Sequence, residues 1–248
     1  MNGTEIERRF DEHGSIYIFD DGPYRYLSFG EGGEQSRIEL SRPHYPVYQY
    51  YQAMLLALLF NPEPRQIMML GLGGGAMVHS LLAYSDNSQI RVAELRKEVY
   101  QTAVDFFQLP DDPRLEIAIT DAGDYLQRQN KSVDLIFTDI YSDQGMQQQQ
   151  LDRDYLSDCY RLLSDEGILV LNLWDQGQGF HPKARQQLSE QFGEQWLYCP
   201  VDSGNLIAFA FKSGCPDINP RNLQKPAKQM EKHLEFPARR MINRLRLC

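Results

Sequence analysis

Hydrophobic and polar positions divide the chain into two regimes. Over residues 15–20 and 24–29, aromatic and β-branched side chains gather in short runs around the turn Asp20-Asp21-Gly22-Pro23, a pattern that predicts a hairpin. A third run at 35–40 extends this to a small antiparallel sheet ending at Arg42-Pro43. The apolar stretch 48–60 then predicts one helix that closes at Asn61-Pro62. From Arg65 onward the spacing becomes an alternation of strands (66–70, 90–94, 115–119, 133–139, 168–173) with helices (77–84, 98–108, 123–129, 152–163). Such an alternation builds a parallel sheet with helices packed on it. A further helix at 184–192 and two strands at 195–199 and 206–211 predict a terminal antiparallel pair. The expected units are a small β-sheet plus helix over 1–60, an α/β domain over 61–215 and a basic tail over 216–248.

Composition narrows the function classes. With 42% hydrophobic residues in 248, the chain can bury a sizeable core. No apolar run reaches the length of a membrane span, and residues 1–14 do not read as a secretory signal, so a cytoplasmic protein without membrane contact is expected. Cys159, Cys199, Cys215 and Cys248 lack the close pairing of a zinc site or redox motif, and the five histidines are equally dispersed; free thiols and no metal are expected. A net charge of -9 argues against nucleic acid as a partner. The charge is uneven: residues 221–248 hold eight Lys/Arg against Glu231 and Glu235, which makes this segment +6 and the remainder -15. A tail lying on its own acidic body is the simpler expectation, a partner-binding arm the alternative.

Candidate chemistry concentrates at the carboxyl ends of the central strands. Ile67-Met68-Met69-Leu70 runs into Gly71-Leu72-Gly73-Gly74-Gly75, and a helix follows at once. Glycines permit a tight turn and expose backbone N–H groups at a helix start, which suits a nucleoside or nucleotide; Gly71, Gly73 and Gly75 are the candidate contacts. Glu94 ends the next strand, where a carboxylate can accept from both ribose hydroxyls. Asp121 ends the third strand and can accept from an adenine amino group, or simply cap the helix that begins at 123. Asp139 ends the fourth. A dinucleotide site competes, since Gly71, Gly73 and Glu94 satisfy a loose fingerprint, but its third glycine falls on Ala76. Trp174, His79, Met68, Met69 and Met77 read as packing residues.

The chain resembles the spermidine synthase (polyamine aminopropyltransferase) family from about residue 14 to 211. The resemblance rests on the glycine turn, Val92-Ala93-Glu94-Leu95, Pro113-Arg114-Leu115, Thr120-Asp121-Ala122, Asp134-Leu135-Ile136-Phe137-Thr138-Asp139, the stretch 151–155 leading to Glu166-Gly167, and Tyr51-Gln52-Ala53-Met54. It implies a Rossmann-like α/β fold of the S-adenosylmethionine-dependent methyltransferase type, a mostly parallel sheet with a terminal antiparallel pair, preceded by a small N-terminal antiparallel β-sheet. It also implies that Gln35 and Glu94 touch a thioadenosine group, that Asp121 and Ala122 hold its adenine, and that Asp139 is the catalytic base. Tyr51, Tyr141 and Asp143 then face the amine substrate, and the loop 142–150 is a candidate gate. Family members commonly pair, so a homodimer is possible.

Three positions depart from the family pattern. An aspartate of the glycine turn is Gly74 here, the histidine of the Tyr-His-Glu-Met segment is Gln52, and the Asp-x-x-Asp-Pro-x-Gly-Pro segment reads Asp139-Ile140-Tyr141-Ser142-Asp143-Gln144-Gly145. Losing a carboxylate at Gly74 removes a partner for an ammonium group and leaves a backbone N–H cluster over 73–76 that would suit a carboxylate. That change speaks for a methyltransferase-like activity on ordinary S-adenosylmethionine, whereas the overall resemblance gives the main reading, aminopropyl transfer from decarboxylated S-adenosylmethionine to an amine. The alternatives are methyl transfer from S-adenosylmethionine to another small acceptor, or a non-catalytic thioadenosine-binding or partner-binding member of the fold. Asp139 and Asp143 directed into one cleft favour the first; a roomy, electropositive nest at Gly74 favours the second.

Overall fold

A computed structural model describes residues 3–30, 33–143, 145–174 and 181–248. Four strands form the N-terminal sheet in sequential antiparallel order: β1 (Thr4–Asp11), β2 (Gly14–Asp21), β3 (Tyr24–Phe29) and β4 (Glu34–Glu39). Three were expected. β1 carries no hydrophobic alternation because it is an edge strand exposed on nearly all positions, so its sequence, Thr-Glu-Ile-Glu-Arg-Arg-Phe-Asp, bears no imprint of burial. The predicted helix over 48–60 is two short ones, α1 (Gln49–Met54) and α2 (Ala57–Phe60). Between them the N–H groups of Leu56, Leu58 and Leu59 reach back three residues, to Ala53, Leu55 and Leu56. The run from Ala53 to Leu58 is buried on every side, so packing rather than amphipathic period decides the local winding.

The remainder is an eight-stranded mixed sheet. Its members in chain order are β5 (Gln66–Leu70), β6 (Gln89–Glu94), β7 (Leu115–Ile119), β8 (Val133–Thr138), then, past the short ribbon β9 (Tyr141–Ser142) and β10 (Gly145–Met146), β11 (Leu163–Trp174), β12 (Trp196–Pro200), β13 (Asn205–Phe211) and β14 (Arg246–Leu247). Spatially they run β14-β12-β13-β11-β8-β5-β6-β7, parallel from β11 to β7 and antiparallel at the β13 side. The connecting helices are α3 (Ala76–Tyr84), α4 (Lys97–Phe106), α5 (Ala122–Arg128), α6 (Arg153–Leu162) and α7 (Pro182–Phe192), each within two residues of its expected ends.

Alternation along the strands sorts the core into two layers. Ile67, Met69, Val92, Phe137 and Val170 pack with α1 to α3 and with Ile16, Leu27 and Ile38 of the small sheet. Met68, Leu70, Ile136, Leu169 and Leu171 pack with α5, α6 and α7 on the other face. A period of two on a doubly covered sheet requires apolar residues at every position, which is why these strands read as continuous runs.

The basic C-terminal segment is folded. It forms α8 (Pro220–Leu234), α9 (Ala238–Met241) and β14, and buries Leu223, Ala227, Met230 and Leu234 in the first of the two layers. Of its cations, Arg244 pairs at 2.8 Å with Asp202 in the turn between β12 and β13, and Arg239 with Glu231 within the segment at 2.7 Å. Apolar burial thus seats the segment, with ion pairs at its rim.

Chain order places a switch point between β5 and β8. The chain steps outward from β5 through β6 and β7, then returns to β8 on the other side of β5, so the connections after β5 and β8 diverge and leave a crevice at their carboxyl ends. Gly71 and Asp139 stand at that point.

Candidate active site

Gly71 adopts φ +100°, and a Cβ there would lie 2.3 Å from the Asp139 carbonyl oxygen. The close approach follows from the Asp139 N–H donating to the Leu70 carbonyl at 2.9 Å, which ties the end of β8 to the start of the turn. Only glycine fits that position. Gly75, with φ +78°, starts α3 and faces Leu109; it lies outside the cavity lining, so the expected cofactor contact at Gly75 gives way to a structural role, while Gly71, Leu72 and Gly73 do line the cavity.

Glu94 is buried at the end of β6 and is held by backbone donors: Leu72 N–H donates to Oε2 at 2.9 Å and Arg96 N–H to Oε1 at 2.8 Å. Burial pushes its carboxyl upward, and the N–H groups of Arg96, Leu72 and Gly73 together with the Arg96 charge oppose that shift. Of the expected N–H cluster over 73–76, the Gly73 N–H thus faces Glu94. Gly74 faces inward: a Cβ there would meet Phe107 Cδ1 at 2.7 Å and Ser36 Oγ at 3.0 Å. Gly74 is therefore packed closely against Phe107 and Ser36, with no room for a side chain.

Asp121 performs the capping role foreseen for it and still faces the cavity. Gly123 N–H at 2.8 Å, Asp124 N–H at 3.1 Å and Gln149 Nε2 at 3.0 Å all donate to Oδ1. Oδ2 takes none of the hydrogen bonds found among the described residues. Ala122 lines the cavity beside it.

Asp139 receives Asn172 Nδ2 at 2.8 Å, and Asn172 Oδ1 in turn accepts from Asn205 Nδ2 at 2.9 Å. Burial raises its carboxyl to about 6, against the opposing effect of the Asn172 bond. Tyr50 and Tyr51 stand nearby with ring centroids 4.2 Å apart; their hydroxyls donate to the Gln35 carbonyl at 2.9 Å and to Ser36 Oγ at 3.2 Å. Burial first, and then the Asp139 charge, push the Tyr51 and Tyr141 hydroxyls upward. Tyr141 donates to the Asn172 carbonyl at 3.3 Å.

These groups share one cavity of about 660 Å³, which Gln35, Tyr51, Glu94, Asp121, Asp139, Tyr141 and Asp143 all line. Glu34, which bonds the Tyr48 hydroxyl and Arg37, adds a fifth carboxylate. Among the described residues the one guanidinium in the lining, Arg96, is engaged by Asp11. Such a cavity attracts cations and disfavours a ligand carboxylate. Of the loop 142–150, Ser142, Asp143, Gly145, Gln147 and Gln149 line it; Gln144 lies outside the described residues.

Several lining residues escaped the sequence reading. Trp174, taken for packing, ends β11, is 39% exposed and lines the cavity. Asn172 had a legible signal, a buried polar residue inside the apolar run of β11. Tyr50, Arg96 and Asn205 had none. His79 is a satisfied core residue, its Nε2 2.9 Å from the Phe107 carbonyl. Gln52 is buried too and donates to the Pro46 carbonyl at 2.9 Å. Among the described residues no cluster of His, Cys, Asp and Glu is arranged to hold a metal ion, and no helix is long and apolar enough to cross a membrane.

Comparison with known proteins matches the chain to one family. The profile of the spermine/spermidine synthase domain matches residues 48–218. A polyamine aminopropyltransferase of Chromobacterium violaceum is 28% identical over 233 residues, covering 93% of this chain and 89% of that protein. The crystal structure of spermidine synthase from Thermotoga maritima superposes with a TM-score of 0.77 at 17% identity, over 96% of this chain and 82% of that one. Human methyltransferase-like protein 13, solved in complex with SAH, gives a TM-score of 0.66 at 20% identity, over 77% and 94% of the two chains. The last two establish a common fold.

Proposed function

Because the chain belongs to the spermine/spermidine synthase family, we propose that it is an aminopropyltransferase, moving a three-carbon amine from decarboxylated S-adenosylmethionine to the nitrogen of a small polyamine substrate. The observation that carries this reading is the cavity's charge: among the described residues five carboxylates line it, of which Glu34 is paired with Arg37, while the lining guanidinium of Arg96 is paired with Asp11.

The resemblance to the family assigns the division of labour, and the position of these residues around one cavity supports it. Glu94, fixed by backbone N–H groups, accepts from the ribose hydroxyls; Oδ2 of Asp121, with Ala122 beside it, receives the adenine edge; Gln35 lies along the thioadenosine. Asp139 is placed to draw the amine in as its ammonium ion and to take one proton from it, freeing the lone pair. The amine nitrogen then bonds to the carbon next to the sulfonium sulfur, the carbon–sulfur bond breaks with its electron pair passing to sulfur, and methylthioadenosine leaves. A carboxyl raised to about 6 by burial is a competent proton acceptor near neutral pH. Asn172 holds that carboxylate, while Tyr51, Tyr141 and Asp143 line the acceptor side.

Methyl transfer is not favoured, since the chain belongs to the spermine/spermidine synthase family, its relatives are polyamine aminopropyltransferases, and the acidic cavity disfavours a ligand carboxylate. Calorimetry with decarboxylated S-adenosylmethionine, S-adenosylmethionine and methylthioadenosine tests the choice. Decarboxylated cofactor and methylthioadenosine are expected to bind at least about tenfold more tightly than the carboxylated form. Release of methylthioadenosine is expected only when an amine is supplied. Equal affinity for both cofactors, or release without an amine, rejects the assignment.

A further inference from the structure

A buried ion pair joins the small sheet to the main sheet beside the apolar core they share. Arg96, two residues past Glu94, lays its guanidinium against Asp11 at the end of β1, with Nε 2.9 Å from Oδ2 and Nη2 2.8 Å from Oδ1. Nη2 also donates to the Gly14 carbonyl at 2.8 Å, and the guanidinium carbon stands 4.7 Å from the centre of the Phe29 ring. Both charged side chains are only 8% exposed. A second Asp11 contact closes the turn on itself, the His13 N–H donating to Oδ1 at 2.9 Å. The turn between β1 and β2 is thus folded around one arginine.

This cluster adjoins the cavity on two sides. His13, Phe29 and Arg96 line it next to Glu94 and Leu95, so the turn and the end of β3 wall the part of the cavity where Glu94 stands. The backbone of Arg96 also holds Glu94 directly, through the N–H donated to Oε1. One residue therefore fixes a ribose-facing carboxylate through its main chain and a wall of the same compartment through its side chain.

A buried ion pair is a costly way to hold two sheets together, since desolvating both charges offsets much of their attraction, and apolar residues of similar volume stabilise as well or better. What the pair supplies is direction: a planar, bidentate fork admits one orientation of the Asp11 carboxylate and hence one position of the turn. We propose that Arg96 is a positioning residue of the cofactor site, which locks the turn between β1 and β2 as the wall of the nucleoside compartment and aligns Glu94 within it. The inference rests on the reading of the cavity as a thioadenosine site.

The test compares the full chain with Asp11→Asn and Arg96→Lys, which keep the side-chain size at the contact but remove the charge or the fork. Methylthioadenosine affinity is measured by calorimetry and the kinetic constants by steady-state assay. Both variants are expected to bind methylthioadenosine about tenfold more weakly, and to raise KM for the nucleoside substrate by a similar factor, with kcat and the amine KM changed by less than about twofold. Melting temperature is recorded alongside, because a role in stability alone would lower it without moving the affinity. Unchanged methylthioadenosine affinity in the folded Asp11→Asn and Arg96→Lys proteins overturns the inference and leaves the transferase reading in place. Failure of the unsubstituted protein to bind any thioadenosine removes both.

Discussion

Asn172 donates its side-chain amide to the Asp139 carboxylate across 2.8 Å, from a strand that runs parallel to the one Asp139 terminates. Asn205, one strand further on, holds the far side of the same amide at 2.9 Å and so fixes which way it points. A buried carboxylate with one oriented donor keeps an oxygen for a substrate ammonium, which is the arrangement that proton removal from an amine requires.

Asp139→Asn is expected to lower kcat by about 10²–10⁴-fold while leaving methylthioadenosine affinity within about twofold, because it removes the proton acceptor without altering side-chain size. Single-turnover kinetics and calorimetry read the two quantities separately. Retention of full turnover would falsify the role assigned to this residue.

In the parent protein, kcat/KM is expected to fall on the acid side with a midpoint near pH 6, since the base acts only when ionised and burial raises its carboxyl to about 6. A pH–rate profile checks this. An acid limb at the ordinary aspartate value of 3.8 contradicts it.

The same shift has a consequence for stability. The folded state binds the Asp139 proton more tightly than the unfolded chain does, so the stabilisation is fully present below about pH 4 and is lost as pH rises through about 6. Asp139→Asn, uncharged throughout, is expected to exceed the parent in stability at pH 8 by up to about 3 kcal/mol, with the gap closing by about pH 4. Urea denaturation at the two pH values measures it.

Asn172→Ala leaves the Asp139 carboxylate buried without its amide donor. The acid limb of the rate profile is expected to move upward from the parent's, with kcat/KM at pH 7 reduced, since a hydrogen bond to the ionised form favours that form. A profile superposable on the parent's denies the bond a functional part.

Gly71→Ala sets a methyl group against the Asp139 carbonyl at 2.3 Å in a backbone region that side chains rarely adopt. The expected loss is at least about 2 kcal/mol in chemical denaturation.

Met230→Ala tests the C-terminal segment. This side chain is fully buried on α8 within the first core layer, so truncation is expected to cost about 2–5 kcal/mol while KM values hold. Unchanged stability argues that the segment is not part of the core.

Sequence alone determined the alternating strands and helices, the glycine turn, and the row of carboxylates at 94, 121 and 139, because each depends on local order. A parallel sheet brings the last residue of every strand to one edge, so a carboxylate ending a strand is already placed in the crevice. Tertiary structure decided everything that joins distant positions: Asp11 with Arg96, Asn172 with Asp139, Phe107 and Ser36 closing on Gly74, and the apolar seat of the C-terminal helix. Those pairings rest on which way side chains point once layers pack, and no spacing within the chain carries that information.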